Sequence, residues 1–189
     1  MTENRSKALI ALGGNQESDA GSPRETLLAA VGAMQKCALS IRKLSRLFAT
    51  PCFPAGAGPD YVNAAMVVEF TGEAKDLLAE LHAIEAQFHR TRDHRWGART
   101  LDLDLIAVED QVLPDLETYQ TWRDLPAEQQ TQVAPDRLIL PHPRLQDRAF
   151  VLVPLADVAP DWRHPASGAT VSQMLSQLPE EDVQAVVPL

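Results

Sequence analysis

Lys7–Leu12 is almost continuously apolar after a polar start, the pattern of a strand covered on both faces. Gly13-Gly14-Asn15 breaks it. Ser22-Pro23-Arg24-Glu25 then has capping-box spacing with proline at the first helical position, and Leu27, Val31, Met34 and Ala38 recur at helical intervals. Ser40–Ala49 predicts a second strand closed by Thr50-Pro51, and Pro54–Pro59, rich in glycine and proline, predicts a loop. From Tyr61 to Phe70 the alternation is strict. Val62, Ala64, Met66, Val68 and Phe70 share one face, while Tyr61, Asn63 and Ala65 share the other. Ala74–Phe88 predicts a second helix with Leu77, Leu81, Ile84 and Phe88 as its buried stripe, and Leu101–Val108 a fourth strand.

The order β-α-β-β-α-β is that of a ferredoxin-like, split-βαβ core. It predicts an α+β fold with a mainly antiparallel sheet, both helices on one face and the other face left for a ligand. After Val108 the pattern changes. Gln111–Pro135 is polar, with Trp122 its main bulky apolar residue, and reads as an irregular excursion. Arg137–Leu140 and Phe150–Pro154 resume strand-like patterns, and Thr170–Leu178 predicts a short terminal helix. The expectation is one domain over 1–189 with an insertion at about 111–136 and added C-terminal strands and helix. The insertion is expected to be peripheral, with a short helix near Leu125–Gln132 and Trp122 pinned to the body, so that replacing Glu117–Thr131 leaves a folded protein.

Composition narrows the function. A net charge of −9 argues against a nucleic-acid binder, which needs excess Lys and Arg. No apolar run approaches a membrane span or signal segment. Cys37 and Cys52 are the only cysteines and lack CxxC spacing, so the chain is read as a reduced, cytoplasmic protein without a disulfide or zinc framework.

Against this acidic background Arg90, Arg92, Arg95 and Arg99 are crowded together, opposed only by Asp93. Such a cluster fits a small polyanion, because the guanidinium fork donates to two phosphate oxygens at once. Leu101-Asp102-Leu103-Asp104-Leu105 follows directly. On a strand the leucines enter the core and both carboxylates share the opposite side, about 7 Å apart. Single acids on such a face are commonly just solvated. A pair beside an Arg-rich segment instead provides the parts for divalent-metal-assisted phosphoryl transfer. GxxxxGK[ST] and GxGxxG are both absent, which excludes P-loop and dinucleotide-binding readings.

His89-Arg90-Thr91-Arg92-Asp93-His94-Arg95-Trp96-Gly97-Ala98-Arg99-Thr100-Leu101-Asp102-Leu103-Asp104 closely resembles the signature of the 6-hydroxymethyl-7,8-dihydropterin pyrophosphokinase family. Ala11–Asn15, Thr50-Pro51, Asp60–Ala65, Leu140–Arg144 and Asp147–Phe150 are similar to further family blocks in the same order. The resemblance implies transfer of pyrophosphate from the co-substrate ATP to the hydroxymethyl group of 6-hydroxymethyl-7,8-dihydropterin, yielding AMP, in a monomer acting on small molecules alone. It implies two Mg²⁺ ions on Asp102 and Asp104, with Arg90 and Arg99 stabilising the transferring group. Thr50, Cys52, Phe53, Tyr61, Asn63 and Phe150 are implied for the pterin, the two rings sandwiching it and Asn63 reading its edge. Glu85, Arg92, Trp96, Arg137, His142 and Arg148 are implied for ATP, and His82 lies on the helix face toward it. Departures are Ala98 in place of a common proline, an Arg92–Trp96 segment one residue shorter than in some members, and the long Gln111–Asp136 connection. Two rival readings remain at this point. One is a metal-dependent phosphohydrolase using the same aspartates; the other is a non-catalytic ferredoxin-like nucleotide- or RNA-binding module.

Overall fold

The structure, a computed structural model, describes residues 5–37, 39–52, 58–88, 99–126, 129 and 133–189. Its centre is an antiparallel sheet in the order β5-β1-β4-β3-β6, with β2 also paired to β4. The strands are β1 (Ser6–Gly14), β2 (Ser40–Leu44), β3 (Phe48–Thr50), β4 (Tyr61–Phe70), β5 (Asp102–Val108) and β6 (Val187–Pro188). The ferredoxin-like order is therefore present, with β1 central as its continuous apolar run requires.

The single strand expected over Ser40–Ala49 is split into β2 and β3. The break is at Ser45, whose buried hydroxyl donates to the Arg46 carbonyl and accepts the Ala65 amide at 2.9 Å. A side chain thus takes a place in the ladder that backbone would otherwise fill.

Helix α1 (Pro23–Met34) starts at the expected capping box, the Ser22 amide donating to Glu25 Oε2 at 2.8 Å. Leu27, Ala30 and Met34 are buried from it, Val31 only partly, and Ala38 lies outside the described residues. Helix α2 (Ala74–Gln87) buries Leu77, Leu81 and Ile84 as expected. Both pack on the face formed by Ala8, Ile10, Leu12, Ala64, Met66, Val68, Leu103 and Leu105.

The other face is not open. Helix α4 (Ala149–Val158) lies across it, and with α5 (Val171–Leu175) it covers Leu9, Ala11, Ala65, Ile106 and Ala107. Phe150–Pro154 is thus helix rather than strand. A short run that is apolar on every side carries no period to separate a buried strand from a buried helix. Arg137–Leu140 is likewise not a strand; it makes one bridge, between Leu113 and Leu140. The C-terminal region is helical, with α5 and α6 (Glu180–Gln184), and its only strand is the two-residue β6 on β3.

The insertion contains helix α3 (Leu116–Arg123), capped by Asp115 through the Thr118 amide at 2.8 Å. Tyr119 is its anchor rather than Trp122. Tyr119 is fully buried and its hydroxyl lies 2.8 Å from Nε2 of buried His164, whereas Trp122 is half-exposed. Most of Leu125–Gln132 lies outside the described residues. No helix among the described residues is long and apolar enough to cross a membrane.

Candidate active site

Because α4 covers only part of the second face, the polar residues of that face gather at one end of the strands. In the ladder Gly13 of β1 pairs with Asn63 of β4 on one side and with Asp102 of β5 on the other. Ala11 pairs in the same way with Ala65 and Asp104. Opposed residues share a face, so Asn63 and Asp102 stand in one row, about 10 Å apart over two strand spacings. The residues between them are small. A Cβ on Gly13 would stand 2.9 Å from Asn63 Oδ1, and one on Gly14 2.6 Å from the Thr100 carbonyl. Gly13 leaves room on the floor of the row, and Gly14 lets the Thr100 backbone pass close to β1.

At one end of the row Asn63 is buried and its Nδ2 donates to Thr50 Oγ1 at 2.6 Å. Tyr61, two residues earlier, is half-buried and pairs with Thr50 in the ladder. Burial pushes the Tyr61 phenol up, so it remains a neutral hydroxyl. Cys52 is a half-buried free thiol whose amide donates to Asp60 Oδ1 at 3.4 Å. Phe150, in the first turn of α4, is 41% exposed, with the Arg148 guanidinium 5.6 Å from its ring centroid. Tyr61 and Phe150 make no ring contact with each other among the described aromatic pairs.

At the other end Arg99 pairs with Asp102, and both side chains are mostly buried. Burial alone would push the Arg99 guanidinium down, but Asp102 and Asp104 outweigh it and hold it above its usual value. Arg148 is pulled below its usual value by burial, opposed by Asp104 and reinforced by Arg144. The His142 amide donates to the Ile106 carbonyl at 2.7 Å, which docks this segment on β5. Its ring Nδ1 accepts the Arg144 amide at 3.1 Å, leaving the ring proton on Nε2 as a donor. Burial, then Arg148 and Arg144, push His142 down to about 3. It is a neutral donor at physiological pH.

Two residues that carry the site escaped sequence reasoning. Asn15 is buried, with Oδ1 accepting the Arg99 amide at 2.9 Å and Nδ2 donating to the Pro59 carbonyl at 3.2 Å. It ties the entry to β5 to the loop before β4, and Gly13-Gly14-Asn15 after a strand was the available signal. Arg144 is the second; its Nε is buried with no hydrogen-bond partner among the described residues. Two residues implied for ATP stand apart from this cluster. Arg137 faces solvent and pairs with Asp136 at 2.9 Å, and Glu85 is buried under β5. Arg90, Arg92, Trp96 and Phe53 lie outside the described residues.

The donor set suits magnesium. Asp102 and Asp104 offer hard oxygens on one face, and no group of three His, Cys, Asp or Glu side chains occurs among the described residues. A divalent ion held there would need further ligands from water and substrate oxygens, which is the habit of Mg²⁺. A groove of about 750 Å³, lined by Lys7, Arg42, Glu69 and Trp162, lies at the opposite end of the strands and contains none of these residues.

Comparison with known proteins gives the family. The chain is 37% identical over 186 residues to the 2-amino-4-hydroxy-6-hydroxymethyldihydropteridine pyrophosphokinase of Synechocystis, covering 96% of this chain and 80% of that protein. It is 35% identical to the Pseudomonas aeruginosa protein of the same name, covering 94% and 95% respectively. Among solved structures, wild-type Plasmodium falciparum HPPK-DHPS superposes with a TM-score of 0.63 at 14% identity, over 92% of this chain and 45% of that one. That likeness speaks to the fold. The family profile described as 7,8-dihydro-6-hydroxymethylpterin-pyrophosphokinase matches residues 9–160, and the chain belongs to this family.

Proposed function

We propose that the row from Asn63 to Asp102 is the reaction axis, with the pterin at the Asn63 end and the ATP polyphosphate at the Asp102 end. The chain is an ATP-dependent pyrophosphokinase of folate biosynthesis, transferring the pyrophosphoryl group to the hydroxymethyl group of the dihydropterin. The observation that carries the assignment is the register placing Asn63 and Asp102 on either side of Gly13.

Asn63 reads the pterin edge with an amide that both donates and accepts, already oriented by Thr50. Tyr61 and Phe150 bound the two faces of the planar ring. Asp102 and Asp104 would hold the two Mg²⁺ ions of this proposal. Bound Mg²⁺ supplies charge neutralisation on the polyphosphate and Lewis acidity toward the attacking hydroxyl. Arg99, Arg144 and Arg148 place fixed positive charge where phosphate charge develops, and His142 donates from Nε2. The hydroxymethyl oxygen bonds to Pβ as the bond from Pβ to the α,β-bridging oxygen breaks; AMP leaves carrying that oxygen, and the hydroxyl proton passes to water. The free thiols Cys37 and Cys52 support a cytoplasmic setting.

The deciding experiment is AMP formation from ATP measured with and without the dihydropterin. Acceptor-dependent AMP together with pterin diphosphate is expected. Acceptor-independent hydrolysis would make the chain a phosphohydrolase, and no turnover would make it a binding module.

A further inference from the structure

Glu85 lies in the last turn of α2, yet it is 1% exposed. Its Oε1 accepts the backbone amide of Leu103 at 2.7 Å. That amide belongs to an edge: among the described residues β5 ends the sheet order and pairs only with β1. Alternate amides of an edge strand point away from the neighbouring strand and have no ladder partner there. In the register Leu103 sits opposite Leu12, between Asp102 opposite Gly13 and Asp104 opposite Ala11. Glu85 therefore grips β5 at the one residue that separates the two aspartates. A buried carboxylate is costly unless hydrogen-bonded, and a charge-assisted bond is about twice as strong as a neutral one. At 1% exposure it also has almost no surface to offer a nucleotide.

We infer that Glu85 is a positioning residue for the divalent-metal site, acting through the Leu103 amide to fix the depth and spacing of Asp102 and Asp104. This rests on the reading that those aspartates hold the metal. Glu85 does for β5 what a further strand would do, and it orients the residues that bind the ion rather than binding it itself.

The test compares Glu85→Gln and Glu85→Leu, with Asp102→Asn as a separate check on the metal assignment. Leu103 amide exchange is measured in the substrate-free protein, alongside Mg²⁺ half-saturation, the ATP KM, the pterin dissociation constant and thermal melting. Gln keeps an oxygen acceptor, so Leu103 should stay protected and Mg²⁺ half-saturation should stay within about threefold. Leu should speed Leu103 exchange and weaken Mg²⁺ by about 10–100-fold, with pterin affinity unchanged. A folded Leu variant with wild-type Leu103 protection and Mg²⁺ dependence overturns the inference. So does an equal rise in ATP KM for both variants without a change in Mg²⁺ dependence, which would make Glu85 a nucleotide contact. If the Leu variant does not fold, loss of Leu103 protection in the Gln variant overturns it. If Asp102→Asn leaves Mg²⁺ binding intact while Glu85→Leu loosens Leu103, the metal assignment fails and the grip on β5 stands.

Discussion

Asn63 and Asp102 stand on opposite sides of Gly13, held in one row by β1, which pairs with the strands carrying both. The strand between them contributes a residue with no side chain, so substrates can lie over it. On the proposed reading, binding of the organic acceptor and binding of the charged donor would be separated along a single sheet, and each should be removable without the other.

Asp102→Asn or Asp104→Asn should lower kcat by at least about 100-fold, since a metal's charge stabilisation amounts to several kcal/mol. Melting should change by only a few degrees, because neither side chain belongs to the apolar core. Wild-type AMP production by either variant would remove that aspartate from the metal site.

Asn63→Ala should weaken pterin binding about tenfold or more, the cost of an unpaired polar edge plus the lost bond to Thr50. ATP binding should stay within about twofold, since Asn63 lies two strands from Asp102. Calorimetry with each ligand separately checks this, and equal losses for both would refute the row as a divided site.

Acid should unfold the protein partly through His164. Burial, with Arg123 adding to it, pushes His164 down to about 4, against about 6.5 in the unfolded chain. The unfolded state therefore takes up a proton that the folded state refuses. Its contribution is fully present above about pH 6.5 and falls by about 1.4 kcal/mol per pH unit until the pH nears the folded value. Denaturant melts at pH 7.5 and 5.0 should show a steeper loss in the wild type than in His164→Gln. Equal slopes would exclude His164 as the source.

Tyr119→Phe should cost about 1 kcal/mol by removing the hydroxyl from His164, and Tyr119→Ala about 3–5 kcal/mol by opening a cavity. Both should leave ATP and pterin KM values close to wild type. Replacing Glu117–Thr131 by a short turn removes Tyr119 as well, so the structure leads us to expect a clear fall in melting temperature. Denaturant titration of the three variants distinguishes an anchored helix from a dispensable loop.

What could be read from the sequence followed from the local period. Leu-Asp-Leu-Asp-Leu has the two-residue period of a strand, so the shared face of Asp102 and Asp104 follows from the chain alone. Asn63 and Tyr61 follow from the alternation of β4. Helix α4 escaped because an all-apolar run has no face to reveal, and its position turned an expected open surface into a site confined to the strand ends. Tyr119 escaped because its partner, His164, is 45 residues away in sequence, beyond any helical or strand period. Glu85 left a signal that was open to another reading. It follows Leu77 and Leu81 at steps of four, a polar residue on a buried stripe, where a carboxylate must find a donor inside the protein.

The pairing of Arg99 with Asp102 has a consequence for how the protein takes up metal. A carboxylate already neutralised by a guanidinium receives a divalent ion by exchange rather than by simple addition. Released from Asp102, Arg99 would be able to turn to the phosphates brought by ATP. On the proposed reading, ion and nucleotide would raise each other's affinity by the same factor, as thermodynamic reciprocity demands.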